Sequence, residues 1–221
     1  LGAMQIYSEQ GPFTLAIELA DIILKRSDLS AQLKIRMLVQ QARAHRWAAH
    51  SEDAKVKLEM ALESAIQIDD QKSEGIVLTQ LGEVNTHLGL VEEAEGNCRR
   101  ALLLHRKHQN RLQEGITMGL LGLIYRFHHR LETKERLQEA QQYFEGALVI
   151  HKQIGNRAAE VWAHRALGDL FMDYGHREKG RQNYEAGLHI LREVGQRFDE
   201  AITMGNLGIY FLEELSLENA K

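Results

Sequence analysis

Residues Glu74 to Ala101 read EGIVLTQLGEVNTHLGLVEEAEGNCRRA, and the spacing of small residues in this stretch returns through most of the chain. Aligned on Leu81-Gly82, the pattern recurs at Leu121-Gly122, Leu167-Gly168 and Leu207-Gly208, and more weakly at Gln41-Ala42, in steps of 40, 40, 46 and 40 residues. Repetition at this interval is the mark of a stacked array, in which each unit buries its apolar side against the next. Twelve residues after the glycine position stand Ala54, Ala94, Gly180 and Ala220, and seven further on stand Ala61, Ala101, Ala147 and Gly187. The six residues by which one step exceeds the others lie between Phe127 and Gln138, so that Ala140 holds the place of Ala94.

Each half of the unit carries helical periodicity. Leu78, Leu81, Val84 and Leu88 fall three and four apart in one half, and Leu137, Ala140, Phe144, Ala147 and Leu148 do so in another. Leu88-Gly89 and Tyr174-Gly175 mark helix ends, where a left-handed residue is needed and glycine adopts it at little steric cost. The unit is a helical hairpin, and the small residues have a purpose in it. Antiparallel helices approach closely only where neither presents a large side chain, a contact expected from Gly82 and Ala94, with Ala101 serving the next repeat.

Leu121-Gly122 with Tyr125, followed by Ala140, Phe144 and Ala147, resembles the tetratricopeptide repeat, whose pattern is L-G-x2-Y and then A-x3-F-x2-A. Leu58, Cys98 and Tyr184 take the Phe144 position in other copies. The resemblance covers residues 30 to 221 and implies an all-α fold, a right-handed superhelical α-solenoid of antiparallel helix hairpins. It implies a single domain over residues 1–221 with full repeats near 29–70, 71–110, 111–156 and 157–196 and partial ones at 1–28 and 197–221. Two departures are visible: steps near forty residues where the family's period is about 34, and a single proline, Pro12. Helices longer than the family's account for both. The junctions Gly155-Asn156-Arg157 and Gly195-Gln196-Arg197, with Glu160 and Glu200 three residues on, look like those of two long-repeat subgroups. One comprises spindle-orientation adaptors that bind extended peptides, the other sensor domains of bacterial multidomain regulators.

Composition narrows the function classes. The formal net charge of -4 argues against nucleic acid as a direct ligand, which needs a concentrated positive face. No apolar run reaches the roughly 18 to 20 residues that span a bilayer, and no signal peptide is visible, so no membrane contact and a cytoplasmic location are expected. The one cysteine, Cys98, precludes an internal disulfide and reads as a small core residue. The chain reads as beginning and ending inside repeats, a fragment of a larger protein whose uncapped ends permit self-association.

No phosphate loop, nucleophile elbow or zinc-protease motif occurs, and neither an enzyme activity nor a cofactor is expected. Gly175 to Gly180, GHREKG, lacks the terminal Lys-Ser/Thr of a phosphate loop and reads as a helix turn. Among eleven histidines, His105 and His108 lie one helical turn apart and His128-His129 sits beside the insertion. With no recurring acidic or cysteine partner these read as solvent-facing side chains, and no metal is expected. Arg99, Arg100, His105, Arg106, Lys107 and His108 read as a solvated helix face. Glu132, Lys134, Glu135 and Arg136 of the insertion read as an extended, solvated hairpin tip, and Gly180 and Gly187 make their helix the expected least stable one.

In the family resembled, the first helix of each hairpin lines a concave groove through fixed offsets from the conserved glycine. Carried onto this sequence, they give Arg36, Val39, Gln40, Arg43, Arg46 and Trp47, then Ile76, Thr79, Gln80, Glu83, Thr86 and His87. Later repeats give Gly119, Leu120, Leu123, Arg126, Phe127, Trp162, Arg165, Asp169, Met172, Asp173, Asn206 and Ile209. Arg43, Arg46, Gln80, Glu83, Leu123, Arg126, Phe127, Arg165, Asp169 and Asn206 are the resulting candidate site, basic at the first repeat and apolar around Leu123 and Phe127. The functional expectation is a non-catalytic scaffold that binds an extended or helical segment of another protein, or of its own parent chain, in that groove. The alternative is a ligand-sensing domain of a bacterial multidomain regulator.

Overall fold

A computed structural model of the chain describes residues 12–26, 28–127 and 133–218. Ten helices run through these residues and no strand occurs among them: α1 (Pro12–Leu24), α2 (Ala31–Trp47), α3 (Ser51–Gln67), α4 (Gln71–His87), α5 (Val91–Lys107), α6 (Arg111–Phe127), α7 (Thr133–Gln153), α8 (Arg157–Asp173), α9 (Arg177–Val194) and α10 (Arg197–Glu218). The chain divides between Gln113 and Glu114 into two compact units.

The turns repeat as faithfully as the helices. A backbone N–H reaches the carbonyl five residues back at His50, Asp70, Leu90, Asn110, Asn156, His176 and Gln196, at 2.8–3.0 Å, which closes each helix end in the same way. The residue just before each of these has left-handed backbone. Gly89, Gly155, Gly175 and Gly195 do so freely, whereas Ala49, Asp69 and Gln109 adopt φ of 62°, 53° and 54° against steric preference. Ser30, Asp70 and Asn156 cap α2, α4 and α8 by accepting a backbone N–H three residues on, while α3, α5 and α9 start without a side-chain cap.

In unit 1, α1 packs on α2, the hairpins α2–α3 and α4–α5 close on themselves, and α3 meets α4. Its core joins Ile35, Leu38, Ala42, Ala54, Leu58, Ala61, Val77, Leu81 and Val84, with the small repeat-interval residues Ala42, Ala54 and Ala61 supplied by α2 and α3. Cys98 is fully buried, and burial pushes its thiol up to about 12, consistent with an inert packing residue.

In unit 2, α7 packs on α8, α8 on α9, and α9 on α10. Here the close approach expected at the repeat glycine is joined by a second role. The glycine is a socket for a ring as well as a site of close approach: a methyl group on Gly122 would lie 2.5 Å from the Phe144 ring, and one on Gly168 would lie 2.7 Å from the Tyr184 ring. The opposed small residue is present too, since a methyl group on Gly180 would stand 3.2 Å from the Gly168 carbonyl. The insertion also differs from the expected hairpin tip. Lys134 and Glu135 are exposed, but they belong to α7, which has 21 residues where α2, α4, α5, α6 and α8 each have 17. Four of the six extra residues lengthen that helix. Leu1-Gly2, Gly11, His128-His129, Glu132 and Ala220 lie outside the described residues.

Candidate functional site

Two clusters gather the expected groove residues, one in each unit. In unit 1 a cavity of about 350 Å³ lies between α2 and α4 and is lined by Arg36, Val39, Gln40, Arg43, Ser73, Ile76 and Gln80, with Leu33, Ile35, Met37 and Val77 as its apolar walls and Gln113 at its edge. Six of these residues stand at the offsets carried over from the family. No carboxylate lines the cavity, and neither Arg36 nor Arg43 has an ion pair or hydrogen bond among the described residues. Two guanidinium groups, three amides, a hydroxyl and an apolar wall make a surface that accepts a carboxylate or other oxyanion beside a hydrocarbon side chain.

The neighbouring expected residues serve the protein itself. Arg46 is mostly buried and forms an ion pair with Glu83 across adjacent first helices. Thr79 is buried and its hydroxyl lies 3.1 Å from the Gly75 carbonyl and 3.1 Å from His105 Nε2. Trp47 is exposed and its ring packs 5.4 Å from that of Phe13.

In unit 2, Arg126 is 11% exposed in its side chain and donates from Nε to Asp173 at 2.7 Å and from Nη1 to Asp169 at 3.3 Å. The Tyr184 hydroxyl donates to the other Asp169 oxygen at 2.6 Å, and burial together with that bond to a carboxylate holds its phenol above the ordinary range. The Arg126 guanidinium also sits 4.4 Å from the exposed Phe127 ring. Asp169, Met172, Asp173, Tyr184, Asn206 and Ile209 line a cavity of about 510 Å³. Its two carboxylates, Asp169 and Asp173, are already engaged by Arg126 and Tyr184. Arg165 is half-buried with no ion pair among the described residues, and Leu123 is half-buried. Gly119 and Trp162 lie in packing contact: a methyl group on Gly119 would meet the indole at 2.7 Å, and Trp162 stacks edge-on to Phe144 at 6.0 Å.

One expected reading of the histidines is overturned. His105 does not face solvent; it is buried, and its ring fills the space beside Gly75, where a methyl group would lie 2.9 Å away. His151 is its counterpart, equally buried against Gly115. The signal was present in the sequence. At the same register the first repeat has Ile35 with Ala65 and the fourth has Val161 with Leu191, so glycine on one helix answers histidine on the next. Tyr184 was read only as an apolar repeat position, and its bond to Asp169 needed coordinates to see.

These helices and turns match solved structures. The crystal structure of BtubC (BKLC) from P. vanneervenii superposes with a TM-score of 0.72 at 17% identity, covering 86% of this chain and 78% of that one. The signal transduction ATPase with numerous domains from Pyrococcus horikoshii, which has a tetratricopeptide repeat sensor, gives 0.75 at 17% identity, covering 94% of this chain and 31% of that one. The fold is of the tetratricopeptide-repeat type. The apo form of RapI gives 0.70 at 14% identity, with 94% and 58% covered, so the tetratricopeptide-type helices here span only part of that chain and of the ATPase. No protein-family model matches the sequence, and no curated protein matches it.

Proposed function

We propose that this chain is a non-catalytic interaction module that binds an acidic, partly apolar segment of another protein, or of its own parent chain, in the cavity between α2 and α4. One observation carries the reading: Arg36 and Arg43 have no ion-pair partner among the described residues, yet line a concave surface that is otherwise amide, hydroxyl and hydrocarbon. Guanidinium groups engaged within a fold are usually paired, as Arg126 and Arg46 are, and two left unpaired at one cavity are available to an outside carboxylate. A single domain over the whole chain, in a cytoplasmic setting, is part of the same proposal.

The test is fluorescence anisotropy with labelled peptides in which Glu and Asp alternate with Leu and Phe, against Lys-substituted controls. Arg36→Glu with Arg43→Glu should weaken binding of the acidic peptides more than about tenfold at low salt, with a smaller difference as salt rises. Both side chains are exposed, so the helical circular dichroism should stay unchanged. Undiminished binding by the double variant would rule the cavity out. The likeness to the Pyrococcus horikoshii repeat sensor favours a second reading, a regulatory domain that senses a small anionic ligand at the same arginines. Arginine-dependent binding of small carboxylates with no response to the peptides would select it.

A further inference from the structure

We propose that His45, His50 and Asp53 form a binding site for a divalent transition-metal ion of the Zn2+ class at the corner between α2 and α3. One ligand atom from each of the three lies within 4.8 Å of the others, across the short turn that joins the helices. His45 comes from the last turn of α2, Asp53 from the first turn of α3, and His50 stands between them, its backbone N–H bonded to the His45 carbonyl at 2.9 Å. Ala49 holds this turn with left-handed backbone at φ 62°, which keeps His50 beside His45, their rings 6.2 Å apart.

The second observation concerns His45 itself. The residue is 8% exposed, and neither ring nitrogen has a hydrogen-bond partner; the nearest charged oxygen is an Asp53 carboxylate 3.7 Å from Nδ1, too far for a hydrogen bond. A buried imidazole with two unsatisfied nitrogens is costly unless something else satisfies it. The same corner in other repeats is built from other residues. In the second, Asn85 donates toward Glu93 at 3.4 Å; in the fourth, Phe171 takes the His45 position, with His176 at its edge and the Lys179 ammonium 5.4 Å from its ring. Only in the first hairpin do the three register positions hold two imidazoles and a carboxylate.

The chemistry of the donors agrees. Two neutral imidazoles and a carboxylate are a ligand set that Zn2+ accepts, with an open position left for water or another group. The His45 ring is buried and neither of its nitrogens is engaged within the protein, so a ring nitrogen is free for a metal. The other charged groups facing His45 are Asp21 from α1, which would favour a cation, and Lys57 from α3, whose ammonium is drawn to Asp21 at 3.5 Å. Ligand atoms around Zn2+ at about 2.0–2.1 Å stand about 3.3 Å apart, and the exposed His50 and Asp53 side chains can close that gap by rotation.

The experiment is calorimetric titration of the tag-free full chain with Zn2+, joined to visible absorption of the Co2+ form. The wild type should bind one equivalent, give the intense absorption of a four-coordinate Co2+ site, and gain about 5 °C in Tm at a hundredfold excess of Zn2+ over Kd. His50→Ala and Asp53→Asn, both at exposed positions, should each weaken binding at least about tenfold, whereas His189→Ala, an exposed histidine elsewhere, should leave it intact. The proposal is overturned if the wild type takes up no stoichiometric ion, or if neither His50→Ala nor Asp53→Asn lowers its affinity. A weak, six-coordinate Co2+ spectrum, the sign of loose surface histidines, overturns it equally.

Discussion

Among single residues, the buried histidines have the clearest consequence for stability. His45 and His151 are both held below the ordinary imidazole value of 6.5, first by burial, with Asp53 and Glu160 partly opposing it. A depressed imidazole means that the unfolded chain takes up protons that the native one refuses. The stability this represents is complete above about pH 6.5 and is lost as the pH falls below that value. The midpoint of urea unfolding, measured without metal, should therefore hold steady from pH 8 to 7 and decline toward pH 5.5. His151→Leu, which copies the Leu191 that occupies this register in the fourth repeat, should decline less over the same interval. An equal decline in the variant would assign the effect to other groups. His105, bonded to Thr79, shows why burial could not be read from residue type: only the glycine opposite, Gly75, betrays that the ring points inward.

Whole helices show where sequence pattern suffices and where it fails. The helix ends marked at Leu88-Gly89 and Tyr174-Gly175 agree with α4 closing at His87 and α8 at Asp173, because period and turn signal coincide there. The form of the hairpin tip was less legible, because charged residues suit an exposed helix face as well as a loop, and α7 extends through Lys134 to Arg136. The glycines of α9 need finer distinction than helix propensity allows. A methyl group on Gly187 would lie 3.7 Å from His164 Cβ and 3.9 Å from the Val161 carbonyl, which is ordinary contact. Gly187→Ala should thus stabilise the protein by about 0.5–1 kcal/mol. Gly180→Ala carries the same gain in propensity, but its methyl would stand 2.8 Å from the Met172 sulfur and 3.2 Å from the Gly168 carbonyl. Crowding should cancel the gain or reverse it. Thermal unfolding of both variants checks the pair, and equal stabilisation would mean that α8 and α9 are packed less closely than these distances say. The groove residues fared similarly. Offsets placed Arg36, Gln40, Arg43, Ile76 and Gln80 on one cavity, but could not foresee that Arg126 would be taken by Asp169 and Asp173, or Arg46 by Glu83.

At the scale of the molecule, stability should be local. Within each unit the helix contacts run mainly between successive helices, so a helix is held by its neighbours in sequence and by little else. A lesion then weakens the hairpin that contains it and the helices stacked on it, with its influence fading along the array. Leu58→Ala tests this, because Leu58 is fully buried in the α2–α3 hairpin and its truncation should cost about 2–5 kcal/mol. In a globular protein of this length unfolding as one body, hydrogen exchange would quicken in every slow amide by the same factor. Here, amides of α2, α3 and α4 should exchange faster in the variant while those of α8 and α9 keep their wild-type protection. Uniform acceleration through α9 would show that the repeats unfold together and that the nearest-neighbour account is wrong.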